Sequence, residues 1–149
     1  MKNKKKRFSW LVKMNKNPSE KELRELIEYF QNENYEDAEN MAISINERFP
    51  KDNLSLKVLA AILKKTDRAS EALIIQEKLI KLNPKDSETY YNLGNTLVEI
   101  GRLEDAEKKY KIAIKLNPEI GLAYFNLGNT QKELGKLTEA KESFKESII

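Results

Sequence analysis

Asparagine is the side chain whose placement in this chain points most directly to chemistry. Asn92 and Asn95 stand three residues apart, and Asn126 and Asn129 repeat them thirty-four residues later. A carboxamide carries two N–H donors and an oxygen with two lone pairs. A row of carboxamides can therefore grip the backbone of an extended peptide without reading its side chains strongly. If the surrounding stretch is helical, Glu88, Asn92, Asn95 and Glu99 fall within about 40° of one another at 3.6 residues per turn. Asn126, Asn129 and Glu133 form the same face one copy on. Tyr90, Leu93, Gly94 and Leu97 form the opposite stripe, so the asparagines are not expected to serve the core of their own helix pair. Stacked copies are expected to set Asn92 beside Asn126 and Asn95 beside Asn129. Two uses stay open for such a ladder. The amides bond to each other and to nearby backbone and fix the pitch of the stack, or they meet a ligand. Asn95 and Asn129 are the stronger candidates for the second.

Other chemistry is narrowed by what the chain lacks. It has no cysteine and no histidine, which removes disulfides, thiolate nucleophiles, Ser-His or Cys-His triads and zinc sites of the usual ligands. No G-x-x-x-x-G-K-[ST] or G-x-G-x-x-G run is present. The acidic residues are scattered among lysines and read as solvated helix faces. No pair suits general acid and base, so no catalytic residue, cofactor site or metal site is expected.

The elements that must hold the asparagines announce themselves by a period. Pro18, Pro50, Pro84 and Pro118 are spaced by 32, 34 and 34 residues, and residues 87–115 match residues 121–149 at 12 of 29 positions. Such a period decides an architecture before any local reading does. Within the third unit Tyr90, Leu93, Gly94 and Leu97 share one helical stripe, and Leu103, Ala106, Tyr110 and Ala113 share another. Gly101 stands between them, where a helix end wants a left-handed residue. Asp67 and Asn34 take that place upstream. Ser19 and Glu22 read as a capping box, with the first helix starting at Glu20. A glycine inside a helix costs about 1 kcal/mol relative to alanine. Gly94 and Gly128 are thus expected to mark close helix approach, with Ala106 and Ala140 facing them.

The spacing Tyr90-x2-Leu93-Gly94-x2-Leu97, then Ala106-x3-Tyr110-x2-Ala113, then Pro118, resembles the tetratricopeptide repeat. Tyr124, Leu127, Gly128, Ala140 and Phe144 restate it. Leu56, Leu59, Ala60, Leu63, Ala72, Leu79 and Pro84 carry it more weakly. Tyr29, Ala38, Ala42, Ile45 and Pro50 fit in the first unit, although Leu26 stands where a small residue belongs. The resemblance implies an all-α, right-handed α-solenoid of helix-turn-helix units at 19–52, 53–86, 87–120 and 121–149, the last incomplete. It also implies that the first helix of each unit lines a concave groove.

The groove candidates are then Tyr91, Asn92, Asn95, Glu99, Asn126, Asn129 and Glu133, with Lys57 upstream. Some members of the family clamp a carboxylate with basic residues and asparagines. Here Lys57 and Asn92 match that pattern, but Ala61, Leu122 and Asn126, or Tyr91 in the later register, break it, so no such clamp is expected. Upstream the ladder gives way to Val58, Ala61 and Leu54, a more apolar half.

Residues 1–16 hold seven basic residues and no acid, leaving 20 basic against 24 acidic residues in the rest. The apolar run from Phe8 to Val12 is too short for a signal peptide, and no apolar run is long enough for a membrane span. Residues 1–18 read as a disordered basic tail; contact with nucleic acid or membrane would run through it. A cytoplasmic location is expected. The function expected is a non-catalytic protein-interaction scaffold that binds an extended peptide in the groove. The alternative is the substrate-recognition module of a glycosyltransferase or sulfotransferase whose catalytic region lies elsewhere, because the repeats resemble arrays that precede such regions. Phe144, Ile148 and Ile149 would be partly unshielded at the C-terminal end, which reads first as an excerpt of a longer array; end-to-end self-association with another copy and docking on a partner are the alternatives.

Overall fold

The computed structural model describes residues 16–148, so the basic segment 1–15 lies outside the described residues. Among them are eight helices and no strand. They are α1 (Glu20–Gln31), α2 (Tyr35–Arg48), α3 (Asn53–Lys65), α4 (Ala69–Leu82), α5 (Ser87–Glu99), α6 (Leu103–Leu116), α7 (Gly121–Glu133) and α8 (Leu137–Glu146). The chain divides into two compact units, with the boundary between Ile62 and Leu63, inside α3.

Local rules set the helix ends. Ser19 and Glu22 form the expected capping box, each side chain bonding to the other's backbone N–H, and α1 starts at Glu20. Four turns of one design follow the first helices. Their left-handed residues are Glu33 (φ 59°), Asp67 (φ 59°), Gly101 (φ 76°) and Gly135 (φ 77°). In each, the next N–H bonds back five residues: Asn34 to the Tyr29 carbonyl at 2.9 Å, and Arg68, Arg102 and Lys136 to Leu63, Leu97 and Gln131 at 2.8 Å. This is the Schellman closure, which satisfies carbonyls left open at a helix end. The first turn uses Glu33, not the expected Asn34. Asn34 is instead one step into the next helix start, its amide donating to Asp37 at 2.6 Å. After α2, α4 and α6 the chain leaves the helical region at Phe49, Asn83 and Asn117, as the residue before a proline is pushed to do.

In the first unit, α1 packs on α2 around Leu26, Ala38, Ala42 and Ile45, all fully buried. Leu26 occupies the register of Gly94, and Ala42 that of Tyr110. Large and small have changed sides of the crossing, which conserves its volume and so its packing.

In the second unit Leu93, Leu97, Ala106, Tyr110 and Leu127 form one cluster, with Leu73, Ile80 and Ile114 at its edge. The nearest neighbours of the two glycines are aromatic rings, which the expectation of Ala106 and Ala140 left out. A Cβ on Gly94 would stand 2.5 Å from Tyr110 Cε1, and one on Gly128 2.7 Å from Phe144 Cε1. The glycines exist to admit aromatic rings, and no methyl group fits there without displacing the ring.

One acid departs from the solvated-face reading. Glu107 of α6 is buried, yet accepts from Lys111 at 2.7 Å and from Lys136 at 2.6 Å. Gln131 donates to it at 3.5 Å and in turn accepts from Ser143 at 2.7 Å. Burial raises the pKa of this carboxyl, but the two ammonium groups outweigh it and hold the pKa at about 2. Glu107 thereby ties α6 to α7, to the α7–α8 turn and, through Gln131, to α8.

Candidate functional site

The second unit carries a groove of about 610 Å³ lined by Asn95, Val98, Glu99, Tyr110, Asn126, Asn129, Thr130, Lys132 and Glu133. Five of the expected groove residues meet there: Asn95, Glu99, Asn126, Asn129 and Glu133. They come from α5 and α7, whose opposite stripes are pinned by Leu93, Leu97 and Leu127. The helical period then turns the amides outward. Asn92 is half-buried but does not line this groove. Lys57 belongs to the first unit and is not among the lining residues. Tyr91 is half-buried beside the groove wall, where its hydroxyl accepts from Asn126.

The amides do not pair as expected. Asn126 Nδ2 donates to Asn95 Oδ1 at 2.8 Å and to the Tyr91 hydroxyl at 3.2 Å. Asn95 thus pairs diagonally with Asn126, and neither Asn92 with Asn126 nor Asn95 with Asn129 forms a bond. Asn95 also serves its own helix pair, contrary to the sequence expectation. Its Oδ1 accepts from the Tyr110 hydroxyl at 2.7 Å. Tyr110 is buried, and burial first, then its neighbour Tyr91, pushes its pKa up, so its hydroxyl keeps the proton that it donates. These bonds fix both amide orientations. Asn95 keeps its NH₂ group and Asn126 its oxygen uncommitted.

Three lining side chains have no hydrogen bond or ion pair among the described residues: Asn129, Lys132 and Glu133. Glu99 is engaged, meeting Lys64 at 2.9 Å. The groove therefore presents free donors, free acceptors, one free cation and one free carboxylate beside the apolar edge of Val98. Sequence reasoning missed Tyr110, which it assigned wholly to the core, as well as Thr130 and Lys132. The signal for Tyr110 was present in its type. A buried tyrosine needs a partner for its hydroxyl, and Asn95 of the facing helix supplies it. Among the described residues no cluster of metal-ligating side chains occurs, and no helix is long and apolar enough to cross a membrane.

Two family models match the chain, one described as tetratricopeptide repeat over residues 76–108 and one as TPR repeat over residues 94–135. No functionally curated protein sequence matches it. Among solved structures it is similar to MamA, with a TM-score of 0.83 at 21% identity over 95% of this chain and 82% of that one. The MamA fragment starting at residue 41 from Desulfovibrio magneticus RS-1 gives a TM-score of 0.81 at 22% identity, covering 89% of this chain and 75% of that one. YrrB, described as a TPR protein with an unusual peptide-binding site, gives 0.74 at 22% identity, covering 80% and 62%. These likenesses establish an all-α helical repeat solenoid.

Proposed function

We infer, from the premise that this is a tetratricopeptide-repeat chain, that it is an interaction scaffold whose second unit binds an extended peptide along the α5–α7 groove. The observation that carries this reading is the set of uncommitted polar groups in that groove. A lone polar surface would be unremarkable, but here two amides are held in fixed orientation by Tyr110 and Tyr91, and a third, Asn129, is left open beside them. An oriented NH₂ group and an oriented carbonyl match the two polar groups of a peptide unit. Lys132 and Glu133 would then add preference for charge at the ends of the bound stretch. The fold likeness to YrrB supports a peptide ligand in kind, not in identity.

The test is selection from a random peptide display library against the folded chain, followed by calorimetry on the enriched peptides. Asn129→Ala breaks no internal bond, so it is the informative variant. Affinity is expected to fall roughly tenfold, which corresponds to about 1.4 kcal/mol, and backbone N-methylation of the peptide is expected to have a similar effect. Unchanged affinity in Asn129→Ala and in Asn126→Ala would show that the amides serve only the stack.

A further inference from the structure

Glu99 and Glu133 hold the same position of α5 and α7, one period apart. Both line the α5–α7 groove, but only Glu99 has a cation. Lys64, in the part of α3 that belongs to the second unit, meets it at 2.9 Å. One period after Lys64 the chain carries Val98. Val98 has no charge to offer, and Glu133 makes no ion pair among the described residues. The array thus repeats the acid and omits the base. At Glu133 the groove keeps the seat that an ammonium group fills one helix earlier, with the apolar side chain of Val98 in place of the lysine stem.

The other cations around the groove do not fill this seat. Lys64 is committed to Glu99, and its side chain is only 23% exposed. Lys132 lines the groove as well, but the repeat shows which way it leans. It holds the position of Lys64 two periods on, and Lys64 reaches toward the first helix of the following pair. Lys132 accordingly leans away from α5, and it also lines the cleft formed with Leu137, Ala140 and Phe144 of α8. Among the described residues no ion pair joins Lys132 to Glu133, although the two are neighbours in sequence. Asn129 stands one helical turn before Glu133 on the same face of α7. Its carboxamide can turn an oxygen toward a cation there and keep its NH₂ group for a peptide carbonyl.

We propose that the peptide taken by the α5–α7 groove carries a lysine or arginine, whose stem lies along Val98 and whose charged end sits on Glu133. This rests on the reading of the groove as a peptide site and specifies the ligand. A long basic side chain suits the seat, because its methylene groups cover the apolar edge while its head stays at the carboxylate and in water. The ligand supplies at Glu133 what the array itself supplies at Glu99. The pair is partly exposed, so it sets preference more than affinity.

The experiment measures by calorimetry the peptides enriched from a random display library on the full chain. They are expected to share one basic position. Norleucine at that position keeps the stem and removes the charge. It should weaken binding roughly fivefold at low salt and by less at high salt. Glu133→Gln should weaken the basic peptide by the same factor and leave the norleucine peptide unchanged. Val98→Lys returns the array's own lysine to the seat. It should weaken the basic peptide by roughly tenfold or more, and the norleucine peptide by less. Circular dichroism confirms that both variants are folded. Enriched peptides that share no basic position, or an acidic one, overturn the proposal and leave the peptide reading standing. So does a double-mutant cycle in which the losses from norleucine and from Glu133→Gln simply add. A library that yields no binder overturns both.

Discussion

Asn95 and Asn129 stand at the same point of two helix pairs, one period apart. The oxygen of Asn95 is bonded by Tyr110 and Asn126, whereas the Asn129 side chain bonds to nothing among the described residues. The helix that packs against each explains half of this. Tyr110 offers Asn95 a hydroxyl, and Phe144 offers Asn129 none. Stacking explains the other half. Asn126 of α7 reaches back to Asn95, and no described helix reaches back to Asn129. The same contrast separates buried Glu107 from its exposed equivalent Lys141. In a repeat array the chemistry of a position belongs to the junction above it as much as to its own unit.

The sharpest way to break this comparison uses its most similar members. Ala106 and Ala140 are both buried, at 0% and 2% exposure, but Ala106 is enclosed on every side by the core cluster and Ala140 borders an open groove. Ala106→Leu is expected to lose about 2–3 kcal/mol by overpacking, and Ala140→Leu less than about 1 kcal/mol, because its added carbons can occupy the groove. Thermal or urea melts of the two variants decide it. Equal losses would mean that the end face is as closed as the junction.

Glu107 tests the electrostatic side of the junction. Its folded pKa is about 2, below its ordinary value, so the stability that it contributes is fully present above about pH 4.5. That stability is lost as the pH falls through the window toward 2. Glu107→Gln is expected to lose about 1–2 kcal/mol at neutral pH, less than a broken fully buried pair, because Lys111 and Lys136 are half exposed and recover water. The variant should also show a flatter acid limb in urea melts taken across that window. An unchanged acid limb would place the acid sensitivity elsewhere, for instance at Glu22, whose bonds from Ser19, opposed by burial and aided by Arg48, lower its pKa.

The helices were legible because their signals are local. The proline period, the capping box at Ser19 and the two glycine turns need only neighbouring residues to be read. What escaped depends on what packs across a crossing. The first turn closes on Glu33 because its geometry sits one residue ahead of the asparagine that looked suited to it. Leu26 looked like a misfit against the small-residue pattern, but the pattern constrains the summed volume at the crossing, and Ala42 restores it. The amide faces were legible from the period of α5 and α7. Their pairing was not, because a shift of one helical turn between adjacent helices exchanges a parallel ladder for a diagonal one. Glu107 was hidden because an acid with a lysine four residues on reads as a surface pair, and only the next unit's Gln131 and Lys136 bury it.

The smallest expected effects come from exchanging a single oxygen atom between the two pairs. Tyr110→Phe keeps the ring against Gly94 and opens no cavity, since the ring itself is unchanged. It removes the bond to Asn95 and is expected to lose about 0.5–1.5 kcal/mol in a urea melt. The reverse change, Phe144→Tyr, adds a hydroxyl on the helix face opposite Asn129 and is expected to alter stability by less than about 0.5 kcal/mol, as substitutions at partly exposed sites do. Its effect should appear in the amide instead. The Asn129 side-chain NH₂ resonances should shift and slow their exchange with water, while in Tyr110→Phe those of Asn95 should broaden. If Tyr110→Phe leaves both stability and the Asn95 resonances unchanged, water satisfies that amide as well as tyrosine does. The orientation of the groove's donors would then rest on Asn126 and Tyr91 alone.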